Sequence, residues 1–383
     1  MLQSQIELLF IHIKIISVKK LKKIKLILFI STLLYFLHCS ANEKSLQATK
    51  IKSWPKQYNS WDPENTAFKK IDYPFLKKAK NKWKVCVSIP HLKDSYWLAV
   101  NYALVDHAKK LGVRMRIKQA GGYTELLKQR TQIKTCMDSG ADALILSSVD
   151  TEKLNDLISD YTNQNKVVID LINYVNTTNV SGRVAVNYYD NGKMTAEYLS
   201  NIADDVRVLW LPGPKGPGWP KAADKGFLKG LKNKSIEVVE TLWGDTGYSK
   251  QYELIKSSLL KNKNIDYIVG NTVAAEAAVD IVRQNKAYKH IEVMSYYYSK
   301  NIHRALKRKQ IVAAASDKQA QQAKLALDLA VRLLEEDYRY FQIAPIVEIV
   351  DSSNLNTFDS KTSISPRGFR PIFSVSDWKN NDE

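Results

Sequence analysis

From Trp83 onward the chain repeats one unit: a short apolar run followed by a stretch with helical period. Trp83 to Pro90, WKVCVSIP, reads as a strand buried on both faces, and Trp97 to Gly112, WLAVNYALVDHAKKLG, as a helix with one apolar side. RMRIK, from Arg114, then precedes the helical TELLKQRTQIKTCMDSG, and ADALILSSV precedes TEKLNDLISDYTNQ. VVIDLIN and RVAVNYY complete a first round of strands. A second round runs through RVLWLPGP, EVVETLWGD, DYIVGNT and IEVMSYYY, each preceded or followed by an amphipathic segment, and IHRALKRKQ, IVAAASD and a long helical stretch from Lys318 to about Glu336 come after it. Such alternation predicts an α/β fold of parallel βαβ units with helices on both faces of each sheet. Two rounds predict two Rossmann-like lobes facing each other across a cleft. The expected boundaries are 83–186 plus 317–345 for the N-terminal lobe and 187–316 plus 346–360 for the C-terminal lobe.

The flanks read differently. Lys19, Lys20, Lys22, Lys23 and Lys25 precede an apolar run, Leu26 to Leu37, that ends in Cys39-Ser40-Ala41. Positive residues, a run too short to span a bilayer comfortably and small residues after it are the pattern of a cleaved signal peptide. Residues 1–41 are therefore expected to be removed on export, leaving a periplasmic chain with no stable membrane anchor. A lipid anchor on Cys39 fits worse, because His38 and Leu37 precede the cysteine. From Asn42 there remain 51 basic against 38 acidic residues, a net charge of +13. The lysines are spread over many helical segments, and an exported chain meets no genome, so no nucleic-acid partner is expected. Residues 42–82 read as an arm rich in Lys, Asn and Pro, and 361–383 as a polar tail. Cys86 falls in the first strand and Cys136 in the second helix, and an oxidising compartment leaves two readings open, a disulfide or a pair of buried thiols.

Sequence signatures of catalysis are absent. No HExxH, GxSxG, CxxC or Walker A pattern occurs, and PGPKGPG at 212–218 lacks the Gly-Lys-Ser/Thr ending that would hold phosphates. His91, His107, His290 and His303 fall on separate elements, so no metal site, no cofactor and no enzymatic activity are expected. What recurs is aromatic side chains where strands end, which is where ligands bind in open α/β sheets. Tyr96 and Trp97 follow the first strand together with Asp94, Tyr123 the second, Tyr188 and Tyr189 the fifth; Trp219 and the Tyr296–Tyr298 run do the same in the second lobe. Aromatic faces converging from two lobes form a cage suited to methylated ammonium groups.

At these residues the chain resembles a known family. CVSIPHLKDSYWLAVNY, QAGGY, VNYYDNG, LPGPKGPGW, GDTG, VGNTVAAEAA and LKRKQIVAAASD are similar to the TorT family of type I periplasmic binding proteins, over about Trp54 to Asp351. The resemblance implies a small ligand, trimethylamine N-oxide, in the cleft and a partner, the periplasmic domain of a sensor histidine kinase. Carried onto matching positions, it implies a site of Asp94, Tyr96, Trp97, Tyr123, Tyr188 and the Tyr296–Tyr298 run; with Trp219 from the strand-end pattern, the candidate ligand-binding residues are Asp94, Tyr96, Trp97, Tyr123, Tyr188, Trp219, Tyr296 and Tyr298. Tyr188 stands where the family favours Trp, which leaves room for a related methylated amine. The chemistry agrees. Aromatic faces suit the methyl end at roughly 0.5–2 kcal/mol each, and Tyr and Trp can donate to the oxide. So few heavy atoms limit binding to about 7.5 kcal/mol, a dissociation constant of a few micromolar at best. The alternative is the substrate-binding protein of an ABC importer for a sugar or other small solute. A sugar site wants many polar groups; Asp94, Asn187, Asp245, Asn271 and Asp317 stand near strand ends, but no Arg does.

Overall fold

The computed structural model describes residues 49–55, 67–232, 235–262 and 264–376. The expected signal peptide lies outside the described residues, as do parts of the arm and tail.

Apolar runs became strands where expected. The first sheet takes β1 (Thr49–Trp54), β2 (Lys69–Tyr73), β3 (Lys84–Ile89), β4 (Arg114–Gln119), β5 (Ala143–Leu146), β6 (Val167–Leu171) and β7 (Gly182–Val184). The second takes β8 (Arg207–Leu211), β9 (Glu237–Thr241), β10 (Tyr267–Gly270), β11 (Glu292–Ser295) and β12 (Ala313–Ser316). β13 (Gln342–Pro345) returns to the first sheet, β14 (Glu348–Asp351) to the second, and β15 (Ser374–Val375) to the first. The orders are β15-β4-β3-β5-β6-β7-β13-β1-β2 and β14-β12-β11-β10-β8-β9. Strands β3 to β7 and β8 to β12 pair in parallel; β1, β14 and β15 pair antiparallel to β13, β12 and β4. The chain passes between the sheets four times, after β7, after β12, after β13 and after β14.

Strand alternation divides the first lobe's core. Val85, Val87 and Ile89 pack under α1 (Ser95–Leu111), while Cys86, Leu144, Leu146 and Val168 pack beneath α2 (Leu126–Asp138) and α3 (Asn155–Asn163). On that second face Cys86 and Cys136 are joined in a disulfide, with Cα atoms 5.9 Å apart and a sequence separation of 50. Closing such a loop restricts the unfolded chain. Replacing both cysteines by alanine is expected to lower unfolding free energy by about 3 kcal/mol, measured by denaturant titration. An unchanged midpoint would exclude a stabilising bridge.

The arm is more ordered than its composition suggests. β1 pairs with β13, and β2 extends the sheet beyond it. One buried carboxylate fastens the end of β2 and the residues just after it. Asp328, in α9 (Gln319–Leu334), accepts from Tyr73 Oη at 2.7 Å, Leu76 N–H at 2.8 Å and Arg332 Nε at 2.8 Å, and pairs with His107 Nε2 of α1 at 3.1 Å. Four partners compensate the desolvation of a charge with no solvent exposure. The tail also contributes: β15 closes the opposite edge of the sheet.

Candidate functional site

The remaining helices place aromatic side chains at the carboxyl ends of both sheets. Asp94 caps α1, its carboxylate accepting from Trp97 N–H at 3.0 Å. The cap fixes the first turn, so Tyr96 and Trp97 leave the helix towards the cleft. Tyr188 opens α4 (Tyr188–Ile202), capped by Asn187, whose side chain accepts from Tyr189 N–H. It is thus not the end of a strand, as the run RVAVNYY suggested: β7 stops at Val184, and the Asn cap turns the chain into a helix. Trp219 lies in the first turn of α5 (Gly218–Gly230). The glycine-rich loop before it includes Gly213 at φ +130°, where a Cβ would stand 2.9 Å from the Trp219 ring. Glycine there lets the indole lie against its own loop.

These elements bring Asp94, Tyr96, Trp97, Tyr123, Ile172 and Asn173 from the first lobe against Tyr188, Trp219, Thr246 and Tyr297 from the second. Ring centroids are 5.5 Å apart for Tyr96–Trp97, 5.3 Å for Tyr96–Tyr297, 5.7 Å for Tyr188–Trp219 and for Trp219–Tyr297, and 6.1 Å for Tyr123–Trp219. The tilted and edge-on arrangements are those that aromatic quadrupoles favour. The void they enclose measures about 10 Å³ for the centres of water-sized spheres, room for about one water. A ligand larger than water needs more room than this conformation leaves.

Two of the expected residues stand elsewhere. Tyr296 is behind the cavity wall, donating to the Pro212 carbonyl and packed on Trp210 with centroids 5.1 Å apart. Tyr298 belongs to the second lobe's core, where its hydroxyl meets His303 Nδ1 at 2.7 Å. Tyr297, between them, lines the cavity. β11 has ended at Ser295, so in the turn after it the middle tyrosine faces the ligand side.

Polar groups behind the rings set the electrostatics. Tyr96 donates to Asp317 Oδ2 at 2.5 Å and Tyr188 to the same oxygen at 3.1 Å, with 2.9 Å between the two hydroxyls. Burial pushes the Asp317 carboxyl up to about 6, against the two tyrosine hydrogen bonds. Burial also raises Tyr96, Tyr123, Tyr188 and Tyr297 above the ordinary phenol range, so all four stay neutral donors. His91 pairs across the cleft with Thr246 Oγ1 at 3.4 Å and is held neutral by burial. Among the described residues neither Arg nor Lys lines the cavity. Among them, too, no group of three or more His, Cys, Asp or Glu is placed to hold a metal.

Glu276, in α7 (Thr272–Gln284), is largely buried and within electrostatic reach of Asp94. Burial raises its carboxyl to about 7, with Asp94 of the opposite lobe adding to the rise; Asn301 at 2.9 Å and Ser299 at 3.2 Å donate to it and work against it. The folded chain therefore keeps a proton that the unfolded chain has lost, so this group's contribution to stability falls as pH rises from about 4.3 to about 7. Glu276→Gln, a mimic of the protonated form, is expected to match the parent near about pH 5. At about pH 8 it should exceed the parent by on the order of 2 kcal/mol. Denaturant unfolding at both values checks this; a constant difference would refute the shift.

With this geometry in hand, the comparisons with known proteins are specific. Residues 85–337 match the family model described as periplasmic binding protein domain. The chain is 34% identical over 298 residues to the periplasmic protein TorT of Escherichia coli O157:H7, covering 77% of this chain and 86% of that one. A solved ABC transporter solute binding protein from Bradyrhizobium sp. BTAi1, with bound bis-tris, is 35% identical with a TM-score of 0.73, covering 85% of this chain and 98% of that one. TorT in its complex with the TorS sensor domain, solved in the presence of TMAO, is 32% identical with a TM-score of 0.70, covering 76% and 99%. The same complex in the absence of ligand gives 0.68, 32%, 76% and 100%.

Proposed function

The chain belongs to the TorT family of periplasmic binding proteins, and from that membership we propose that it senses trimethylamine N-oxide, or a similarly small methylated amine, between its lobes. Occupancy is passed to the periplasmic domain of a sensor histidine kinase. The observation that carries this reading is the cavity itself: six aromatic rings from both lobes around a one-water void, without a lining Arg or Lys among the described residues. Methyl groups on a positive nitrogen gain from such faces. A sugar needs a fan of polar partners around its hydroxyls, whereas six of the ten lining residues here are aromatic. Family members bind rather than catalyse, and the reading contains no chemical step.

Titration calorimetry with trimethylamine N-oxide, betaine, choline and ribose tests the ligand. Binding of the N-oxide with a dissociation constant of a few micromolar or weaker is expected; binding of ribose alone would overturn the reading. The solved solute binding protein at 35% identity supports a second one, delivery of a small solute to an ABC importer. A pull-down separates the two. The TorS–TorT complex was solved with TMAO and without ligand. Capture of this chain on the periplasmic domain of its cognate kinase is accordingly expected in both conditions, with ligand changing the shape of the complex rather than its existence. Strictly ligand-dependent capture, or none, would refute that.

A further inference from the structure

The cavity's hydroxyls are not equivalent. Those of Tyr96 and Tyr188, 2.9 Å apart, both have their protons committed to Asp317. The Tyr123 oxygen instead receives a hydrogen bond from Asn173 Nδ2 at 3.2 Å. The amide Nδ2 that donates to it cannot accept the Tyr123 proton, so that proton points elsewhere, and Tyr123 lines the void. Asn173 has little freedom to let go. Its Nδ2 also donates to the Ser148 carbonyl at 3.1 Å, and its N–H bonds to the Leu171 carbonyl at 2.6 Å. The residue between, Ile172, is held at φ +63°, a region that β-branched side chains avoid. Such strain persists only where the surroundings over-determine it, and it concentrates at ligand sites. Across the cleft, Trp219 Nε1 is buried and has no partner, although Trp219 is only 3% exposed and lines the same void. A buried N–H left unpaired is unfavourable until an acceptor arrives.

We propose that Tyr123 Oη–H and Trp219 Nε1–H, one from each lobe, together receive the oxide oxygen of the ligand, with Asn173 as the positioning residue that aims the Tyr123 proton. The site then selects N-oxides over quaternary ammonium ions of the same shape, and the oxide ties the lobes together. This rests on the reading of the cavity as a methylated-amine site.

Calorimetry with trimethylamine N-oxide and tetramethylammonium, which has the same outline but no acceptor, is the test. Tyr123→Phe and Trp219→Phe keep the aromatic face and remove one donor each. Each is expected to weaken N-oxide binding about tenfold and to move tetramethylammonium by less than about threefold. Asn173→Asp accepts the Tyr123 proton instead of donating, and should reproduce the Tyr123→Phe selectivity. If that variant fails to fold, the two phenylalanine variants still decide. N-oxide binding that falls equally for both ligands, or not at all, overturns the assignment and leaves the cage standing. Failure of the parent to bind either ligand overturns the cage and the assignment together.

Discussion

Gly226→Ala is expected to destabilise the chain by at least about 4 kcal/mol, among the larger effects a single methyl group can have. A Cβ at position 226 would stand 2.0 Å from the Tyr189 carbonyl oxygen, one at Gly192 2.1 Å from that of Ala223, and one at Gly230 2.4 Å from that of Lys193. Backbone meets backbone along α4 and α5, so no side chain can swing aside. These helices must separate to admit the methyl. Tyr188 opens one of them and Trp219 the other, with rings 5.7 Å apart, so the cavity loosens with the packing. Gly247→Ala serves as control, because its nearest contact, Asp245 Oδ2, is an ordinary 3.7 Å away. Thermal unfolding by circular dichroism should show Gly226→Ala melting roughly 10 °C or more below the parent and the control unchanged. Equal melting of both variants would mean that the helices do not approach so closely.

Trp97→Ala is expected to weaken trimethylamine N-oxide binding at least about tenfold. The indole is 2% exposed and stands edge-on to both Tyr96 and His91, so its loss removes an aromatic face and replaces a tight cavity with a wide one. Stability should fall as well, by about 3–5 kcal/mol, so affinity has to be measured where circular dichroism shows the variant folded. Trp97→Phe separates the two effects by restoring a face in part; its affinity should lie between parent and alanine variant. Unchanged binding by a folded Trp97→Ala protein would exclude the aromatic cage.

Much of this arrangement was legible because it is written locally. Strand–helix alternation marks both lobes, and Asp94-Ser-Tyr-Trp joins a helix cap to aromatics at the end of a strand. What escaped was decided at longer range. The Lys-rich β1 and β2 have little apolar alternation, and β1 finds its partner, β13, near the other end of the chain. Of the Tyr296–Tyr298 run, Tyr296 and Tyr298 were the expected site residues, but β11 ends at Ser295 and the turn after it puts Tyr297 at the cavity. Asn173, Thr246 and Ile172 line the cavity without being aromatic, so a search for rings passed them over. For Tyr188 a signal was available: Asn187 before a run of helical period is a cap. Asp317 was visible only as one polar position among several. Its grip on two tyrosines depends on the fold bringing together side chains 221 and 129 residues apart.

The carboxylate of Asp328 has a kinetic corollary. Its bonds to Tyr73 and Leu76 span 255 and 252 residues, while the companion bond from Arg332 to Tyr73 spans 259. As the chain is synthesised from its N-terminus, Tyr73 and Phe75 emerge long before α9 does, and contacts of such separation form slowly. The segment from β2 to Leu76 therefore docks late in folding, with its rings exposed to chaperones and proteases until the far end of the chain arrives. Once docked, it closes as one cooperative unit, and the same unit should be among the first to open again in hydrogen exchange.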